Sequence, residues 1–367
     1  MHTRQPSQKR LPSPFFCALS CAGMSWAHAA AETWPDLPVR DGTVMVPAQA
    51  SPYVTGPRRV KVYLTYPGGS VEHVKPTTGL MLSLHNWGGT GARGTADPKF
   101  LAKRYDVVAI NVDYLQSGKY DKSIPYDFGY LQALDALRAL YLVFDGLDRL
   151  GRPFARGRIF ATGGSGGGNV TLMINKLAPR TFACIIDCSG MAKLSDDIAF
   201  GLPGGSRLNA GYTRDPRSPH HLTKDAQLLR FVGHPGHLAA IKALGNACKV
   251  IVSHGSTDNV CPIEDAREMV KNMQAAGIDV EAHFITQSDI DGKVIKDTGH
   301  SVGHRTLIVE KFAGRYLSPN SPTALVRKGK CDFELRDEKV RYATPNGAYV
   351  ISYQTGYPVG RFERKRD

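Results

Sequence analysis

The sequence predicts an α/β fold: a mostly parallel eight-stranded sheet with helices on both faces. Short apolar runs alternate with amphipathic ones along most of the chain, the pattern of strands joined by crossover helices. With 367 residues, 42% hydrophobic and 22% charged, it can bury one large core and carry accessory segments, which excludes disordered and collagen-like classes. The third observation is GRIFATGGSGGGNV at 157–170, a buried strand that runs through a glycine-framed serine into a helix.

Strands are expected at 41–48, 58–67, 79–86, 106–113, 157–163, 182–188, 249–255 and 280–286. No helix separates the first two, so they form an antiparallel edge. Helical spacing marks 130–144, 169–178, 264–277 and 305–317, and Gly277 supplies the stop of the third. Residues 191–247, between two strands, read as a cap insertion over the strand ends, with helices in LTKDAQLLRFV and HLAAIKALGN. In the tail, 323–367, period-two alternation around Pro345-Asn346-Gly347 marks a β-hairpin appendage. The main domain is thus 32–322, with the extension after it.

Residues 1–31 have the order of a secretory signal peptide. Arg4, Lys9 and Arg10 precede an apolar run from Leu11 to Trp26, then Ala27-His28-Ala29-Ala30-Ala31, with cleavage after Ala29 or Ala31. That run is too short for a membrane anchor, and Leu19 is one position out of place for lipid attachment at Cys21. A secreted or periplasmic protein without a stable membrane anchor is expected. The net charge of +13 falls to about +10 without the signal; the charges are scattered, so nucleic acid is not expected as a partner. Cys184, Cys188, Cys248, Cys261 and Cys331 remain, an odd count that leaves one thiol unpaired. Cys184 and Cys188, about 13 Å apart on one strand, cannot bridge; Cys184 reaches Cys248 only if their strands are neighbours. No spacing makes a zinc site.

Gly163, Ser165 and Gly167 meet the pattern G-x-S-x-G, in which a nucleophile occupies a strained strand-to-helix turn. A phosphate loop is the weaker reading, because no G-K-[ST] follows and Asn169 stands where a third glycine belongs. A serine hydroxyl needs a base and an orienting carboxylate. KVIVSHGSTDNVCP at 249–262 places Asp258 just beyond a strand, and the glycine-histidine loop at 299–304 offers His300. The order Ser165, Asp258, His300 is that of the nucleophile-elbow arrangement. Oxyanion donors are expected at the N–H of Gly166 and, from His85-Asn86-Trp87-Gly88-Gly89, at Trp87.

On these four motifs the chain resembles the α/β-hydrolase superfamily over about 58–318, on its prolyl-oligopeptidase-like and dienelactone-hydrolase-like side. It is also similar to an uncharacterised hydrolase-like family with such a histidine loop and a β tail. The resemblance implies the eight-stranded sheet, Ser165 as nucleophile, Asp258 as acid and His300 as base. Asn86 departs from it, standing where many relatives have glycine.

Asp187 and His304 are the rival acid and base. His85 and His254 near strand ends read as structural, and Cys261 as a buried neutral thiol. His220, His221, His234 and His237 suggest a metal, but Pro235-Gly236 breaks their spacing, so neither metal nor cofactor is expected. Arg207, Arg214, Arg217 and Arg230 are candidates for meeting an anionic substrate, and Tyr212 and Phe231 for lining an apolar pocket. The function expected is hydrolysis of a carboxylic ester in a small or acylated substrate, since an alkoxide leaves more easily than a peptide amine and no propeller-like segment precedes the core. A peptidase and a non-catalytic binding protein are the alternatives.

Overall fold

The computed structural model describes residues 33–365 apart from 92, 119, 121 and 204; the expected signal segment, 1–31, lies outside the described residues. The strands and helices run, in chain order, β1 (Gly42–Pro47), β2 (Arg59–Thr65), β3 (Gly79–Leu84), α1 (Pro98–Tyr105), β4 (Val107–Asp113), α2 (Tyr130–Arg149), β5 (Ile159–Gly164), α3 (Gly166–Leu177), β6 (Cys184–Cys188), α4 (Asp196–Phe200), α5 (Lys224–Leu229), α6 (Pro235–Ala243), β7 (Lys249–Gly255), α7 (Ile263–Ala275), β8 (Val280–Ile285), α8 (Arg305–Leu317), β9 (Lys339–Thr344), β10 (Gly347–Ser352) and β11 (Val359–Arg364).

The first eight strands form one sheet in the order β1-β2-β4-β3-β5-β6-β7-β8. β2 runs antiparallel to β1 and β4, and the pairs from β4–β3 to β7–β8 are parallel. Successive side chains of a strand point to opposite faces. Leu80, Leu82 and Leu84 therefore pack with α2, α3, α6 and α7, while Met81, with Ala109, Phe160 and Ile186, packs with α1 and α8. Burial on both faces explains why these strands read as continuous apolar runs.

Three differences from the sequence reading have physical causes. α1 lacks a strong apolar pattern and escaped notice; the Asp97 carboxylate caps it by accepting from the Lys99 and Phe100 N–H groups, with Pro98 in the first turn. The 191–247 insertion is not cap throughout: α6 buries Leu238 and Ile241 in the main core, as a parallel β6-to-β7 connection requires of its crossover helix. The tail carries the expected hairpin, β9 turning into β10 at 345–346 with Thr344 opposite Gly347, but it is longer than a hairpin and packs into the main core. β11 adds a third antiparallel strand to β9 and β10, and Phe333, Val340, Tyr342, Ile351 and Tyr353 belong to the main core.

Polar contacts fix the tail in place. The buried Asp332 carboxylate accepts from the Arg180 N–H and Nε and from the Thr181 hydroxyl at 2.7–2.9 Å. The Tyr342 and Tyr353 hydroxyls donate to the carbonyls of Lys176 and Leu177, at the end of α3. Lys176 is buried, which pushes its pKa well below the usual lysine value, and its Nζ meets His237 Nδ1 at 2.9 Å.

Candidate active site

β5 ends in Gly163-Gly164, and the chain turns at Ser165 with φ 55° and ψ −122° before α3 begins. A side-chain-bearing residue rarely adopts such a backbone, and here it lifts the hydroxyl clear of the strand end. The framing glycines exist because the turn is crowded: a Cβ on Gly167 would lie 2.4 Å from the Leu84 carbonyl oxygen, and one on Gly163 would lie 2.2 Å from that of Gly167. At Gly164 the space a side chain needs is taken by the Arg305 guanidinium, whose Nη1 donates to the Cys188 carbonyl at 3.0 Å.

Ser165, His300 and Asp258 come together although they are far apart in sequence. His300 Nε2 lies 2.9 Å from Ser165 Oγ, and His300 Nδ1 lies 2.8 Å from Asp258 Oδ2. Ser165 retains 7% of its surface and the His300 side chain 24%, so a reactant can approach. Burial alone would raise the Asp258 pKa, but hydrogen bonds from His254 and His300 hold it well below the usual carboxylate range. Its other oxygen accepts from the Val260 and Cys261 N–H groups at 2.9 and 3.0 Å. An ionised Asp258 assigns the Nδ1 proton to His300 as donor and leaves Nε2 as the acceptor facing the serine. This arrangement can take the serine proton and return it to a leaving group.

The backbone nitrogen of Trp87 lies against Gly166, the residue after Ser165; a Cβ on Gly166 would lie 2.8 Å from it. The Trp87 loop is braced. Asn86, the departure from the hydrolase pattern, lodges its side-chain oxygen where Cβ atoms on Gly89 and Gly94 would fall. His85 meets the Ser117 hydroxyl through Nε2 at 2.6 Å and the Asn86 carbonyl through Nδ1 at 2.8 Å. Sequence reading missed Tyr126: its hydroxyl lies 3.0 Å from that same Gly166 Cβ position, and its ring stacks on Trp87 at 3.6 Å. It sits in an irregular loop with no motif around it.

The rivals are placed elsewhere. Asp187 is fully buried behind the elbow, and neither carboxylate oxygen has a hydrogen-bond partner among the described residues. Burial raises its pKa to about 6, against the pull of His254 and Arg305. His304 is exposed at the start of α8. His254 is buried and has an unforeseen neighbour: its Nε2 lies 2.8 Å from the Cys261 carbonyl and 3.2 Å from Asp258 Oδ2. His237 is buried between Lys176 and the Ala343 carbonyl, and burial lowers its pKa to about 3. Arg214 and Arg217 pair with Asp196 and Asp215 at the surface, and Arg230 with Asp127 in the interior. Tyr212 belongs to the buried cluster against which Trp87 and Tyr120 pack, while Phe231 meets His234 edge to face.

Asp258, Cys261 and His300 can each offer a ligand atom within 4.8 Å of the others. Two of these atoms sit in the hydrogen-bond chain, and burial pushes the Cys261 thiol pKa well up, so a metal would have to displace the contacts just described. The five described cysteines are free and buried. β6 and β7 are neighbours, with Cys184 opposite Lys249, yet Cys184 and Cys248 are unbridged.

The family model described as "Protein of unknown function (DUF2920)" matches residues 206–313, a stretch holding Asp258 and His300 but not Ser165. No curated protein matches the sequence. Among solved structures, the chain is similar to a Mycobacterium tuberculosis puromycin-hydrolyzing peptidase (16% identity, TM-score 0.52, 78% of this chain and 42% of that one). It is also similar to an acylaminoacyl peptidase in complex with Z-Gly-Gly-Phe-chloromethyl ketone (15%, 0.51, 79% and 43%). A bacterial heroin esterase matches at 16% identity and TM-score 0.49 over 75% of this chain and 79% of that one. The chain spans about two fifths of the length of the two peptidases. It has the α/β-hydrolase fold.

Proposed function

On this α/β-hydrolase fold, we propose, the chain is a secreted or periplasmic serine hydrolase that cleaves carboxylic esters. The observation that carries the reading is the unbroken line Asp258–His300–Ser165, at 2.8 and 2.9 Å, ending beside the Gly166 and Trp87 N–H donors. His300 Nε2 removes the Ser165 proton as Oγ bonds to the acyl carbon. The resulting oxyanion is held by Gly166 and Trp87. His300 then gives its proton to the departing alkoxide, and water releases the acyl group from the serine by the same steps in reverse order of partners.

Two considerations favour an ester. An alkoxide needs less assistance to leave than an amine, and the wall beside the serine is aromatic: Trp87 stacks on Tyr126, and Tyr120 meets both edge-on. Such a wall suits an uncharged acyl or aryl group. The second reading, a peptidase, is favoured by likeness to the two peptidases.

A fluorophosphonate probe is expected to label the wild type and not the Ser165→Ala variant. A folded wild type that resists the probe would sink the enzyme reading in favour of a binding protein. Rates on short acyl nitrophenyl esters are expected to exceed those on aminoacyl and prolyl amides; the opposite ranking would make it a peptidase.

A further inference from the structure

A cavity of about 190 Å³ lies among the 52–53 segment, the start of α2, α5 and β10, and no residue of the triad lines it. Four tyrosines do: Tyr53, Tyr130, Tyr212 and Tyr349, together with Arg230 and Asp127. Tyr130 and Tyr212 are each only 9% exposed. No described residue hydrogen-bonds to any of the four phenol oxygens, and none of these oxygens is sealed from solvent. Each is therefore open to water, or to a ligand that takes water's place.

The charges in this wall satisfy each other. Arg230 Nη2 and Asp127 Oδ1 are 3.0 Å apart, Arg230 Nε donates to the Asp127 carbonyl and Nη1 to that of Ala226. Asp127 Oδ2 accepts from the Gln132 N–H at 3.0 Å. Burial raises the phenol pKa values, so all four hydroxyls stay neutral, able both to donate and to accept.

These features select a ligand by elimination. An acyl chain would leave four hydroxyls unpaired. Arg230 and Asp127 are spent on each other, so the wall offers no free counter-charge to a cation or to an anion. A neutral ring that carries its own hydroxyls meets neither objection, since its C–H faces can cover tyrosine rings while its oxygens pair with the phenols. The cavity holds several waters, room for one such ring. We propose that this cavity binds a single neutral sugar residue. The inference does not depend on Ser165.

Ligand-observed NMR and calorimetry on the full chain can test it, using the methyl glycosides of glucose, galactose, xylose and N-acetylglucosamine. At least one is expected to bind saturably with a Kd of a few millimolar, and to bind Ser165→Ala equally well, so that a failed hydrolase reading does not affect the result. Tyr53→Phe with Tyr349→Phe removes two hydroxyls but keeps the rings, and is expected to weaken binding about tenfold or more. Ala226→Phe, which fills the cavity from the α5 side, is expected to abolish binding; this second variant decides the matter if the first is poorly folded. No saturable binding by any of the four up to about 50 mM, or binding untouched in both folded variants, overturns the proposal. So does hexanoate binding that strengthens when the hydroxyls are removed.

Discussion

The Ser165 site and the tyrosine cavity meet at one loop, where Tyr126 faces Gly166 and Asp127 holds Arg230, yet they treat polar atoms in opposite ways. In the first, each polar atom of the proposed relay already has its partner: serine to imidazole, imidazole to carboxylate, carboxylate to two backbone N–H groups. In the second, the charges are satisfied and the hydroxyls are not. A site that transfers protons needs its relay assembled beforehand. A site that binds a neutral molecule leaves its hydrogen bonds for the ligand to complete.

The largest expected effect tests the first half of this contrast. Asp258→Asn keeps the shape of the carboxylate but offers His300 Nδ1 no anion, so the ring loses the tautomer that faces Ser165 with a lone pair. A fall in kcat of about 10⁴-fold on a nitrophenyl ester is expected, by analogy with serine proteases. A fall below about tenfold would mean that the relay is not what drives catalysis, and that the two regions differ less than their geometry suggests.

Two buried aspartates give the next test, with opposite signs. Asp127→Ala leaves Arg230 buried and unpaired and is expected to cost about 3–5 kcal/mol in urea unfolding. Asp187, by contrast, has no hydrogen-bond partner among the described residues, and its carboxyl is raised from 3.8 to about 6 by burial. A raised folded-state value means the native protein holds the proton more tightly, so this group's cost is absent below about pH 4, grows through pH 6 and levels off above it, at roughly 3 kcal/mol. Asp187→Asn is therefore expected to stabilise the protein at pH 8 and not at pH 4. The same sign for both variants at pH 8 would show that pairing is not what distinguishes these two charges.

The two regions also differ in how far the sequence discloses them. Ser165, Asp258 and His300 each follow a strand, and parallel strand ends gather on one edge of a sheet, so local patterns sufficed to bring distant residues together. Gly163 and Gly167 advertise the crowded turn. The cavity has no such signature: its tyrosines come from residues 53, 130, 212 and 349, and only the packing of the tail against α5 and α2 makes them neighbours. The turn Pro345-Asn346 was legible as a turn. That Asn346 would be held by the Asp225 carboxylate, which draws β10 onto the cavity, was not, because nothing local in either segment names the other. His254 was read as structural, which its burial supports, but its contact with Asp258 depends on the loop that follows β7.

Tyr126 carries the smallest effect and lies on the boundary between the regions. Its ring belongs to the aromatic wall and stacks on Trp87, whereas its hydroxyl lies 3.0 Å from the place a Cβ on Gly166 would take, on the same side as the Trp87 nitrogen. Burial keeps the phenol protonated, so it can donate to a developing negative charge. Tyr126→Phe retains the stacking and removes only the O–H. A hydrogen bond to a charged acceptor is worth about 2 kcal/mol, or some thirtyfold in rate. The loss is expected in kcat with KM little changed, because the charge exists in the transition state and not in the bound ester. A rise in KM at constant kcat would instead assign the hydroxyl to ground-state binding and make Tyr126 kin to the four tyrosines behind it. Full activity in the variant would leave the oxyanion to the two backbone donors alone.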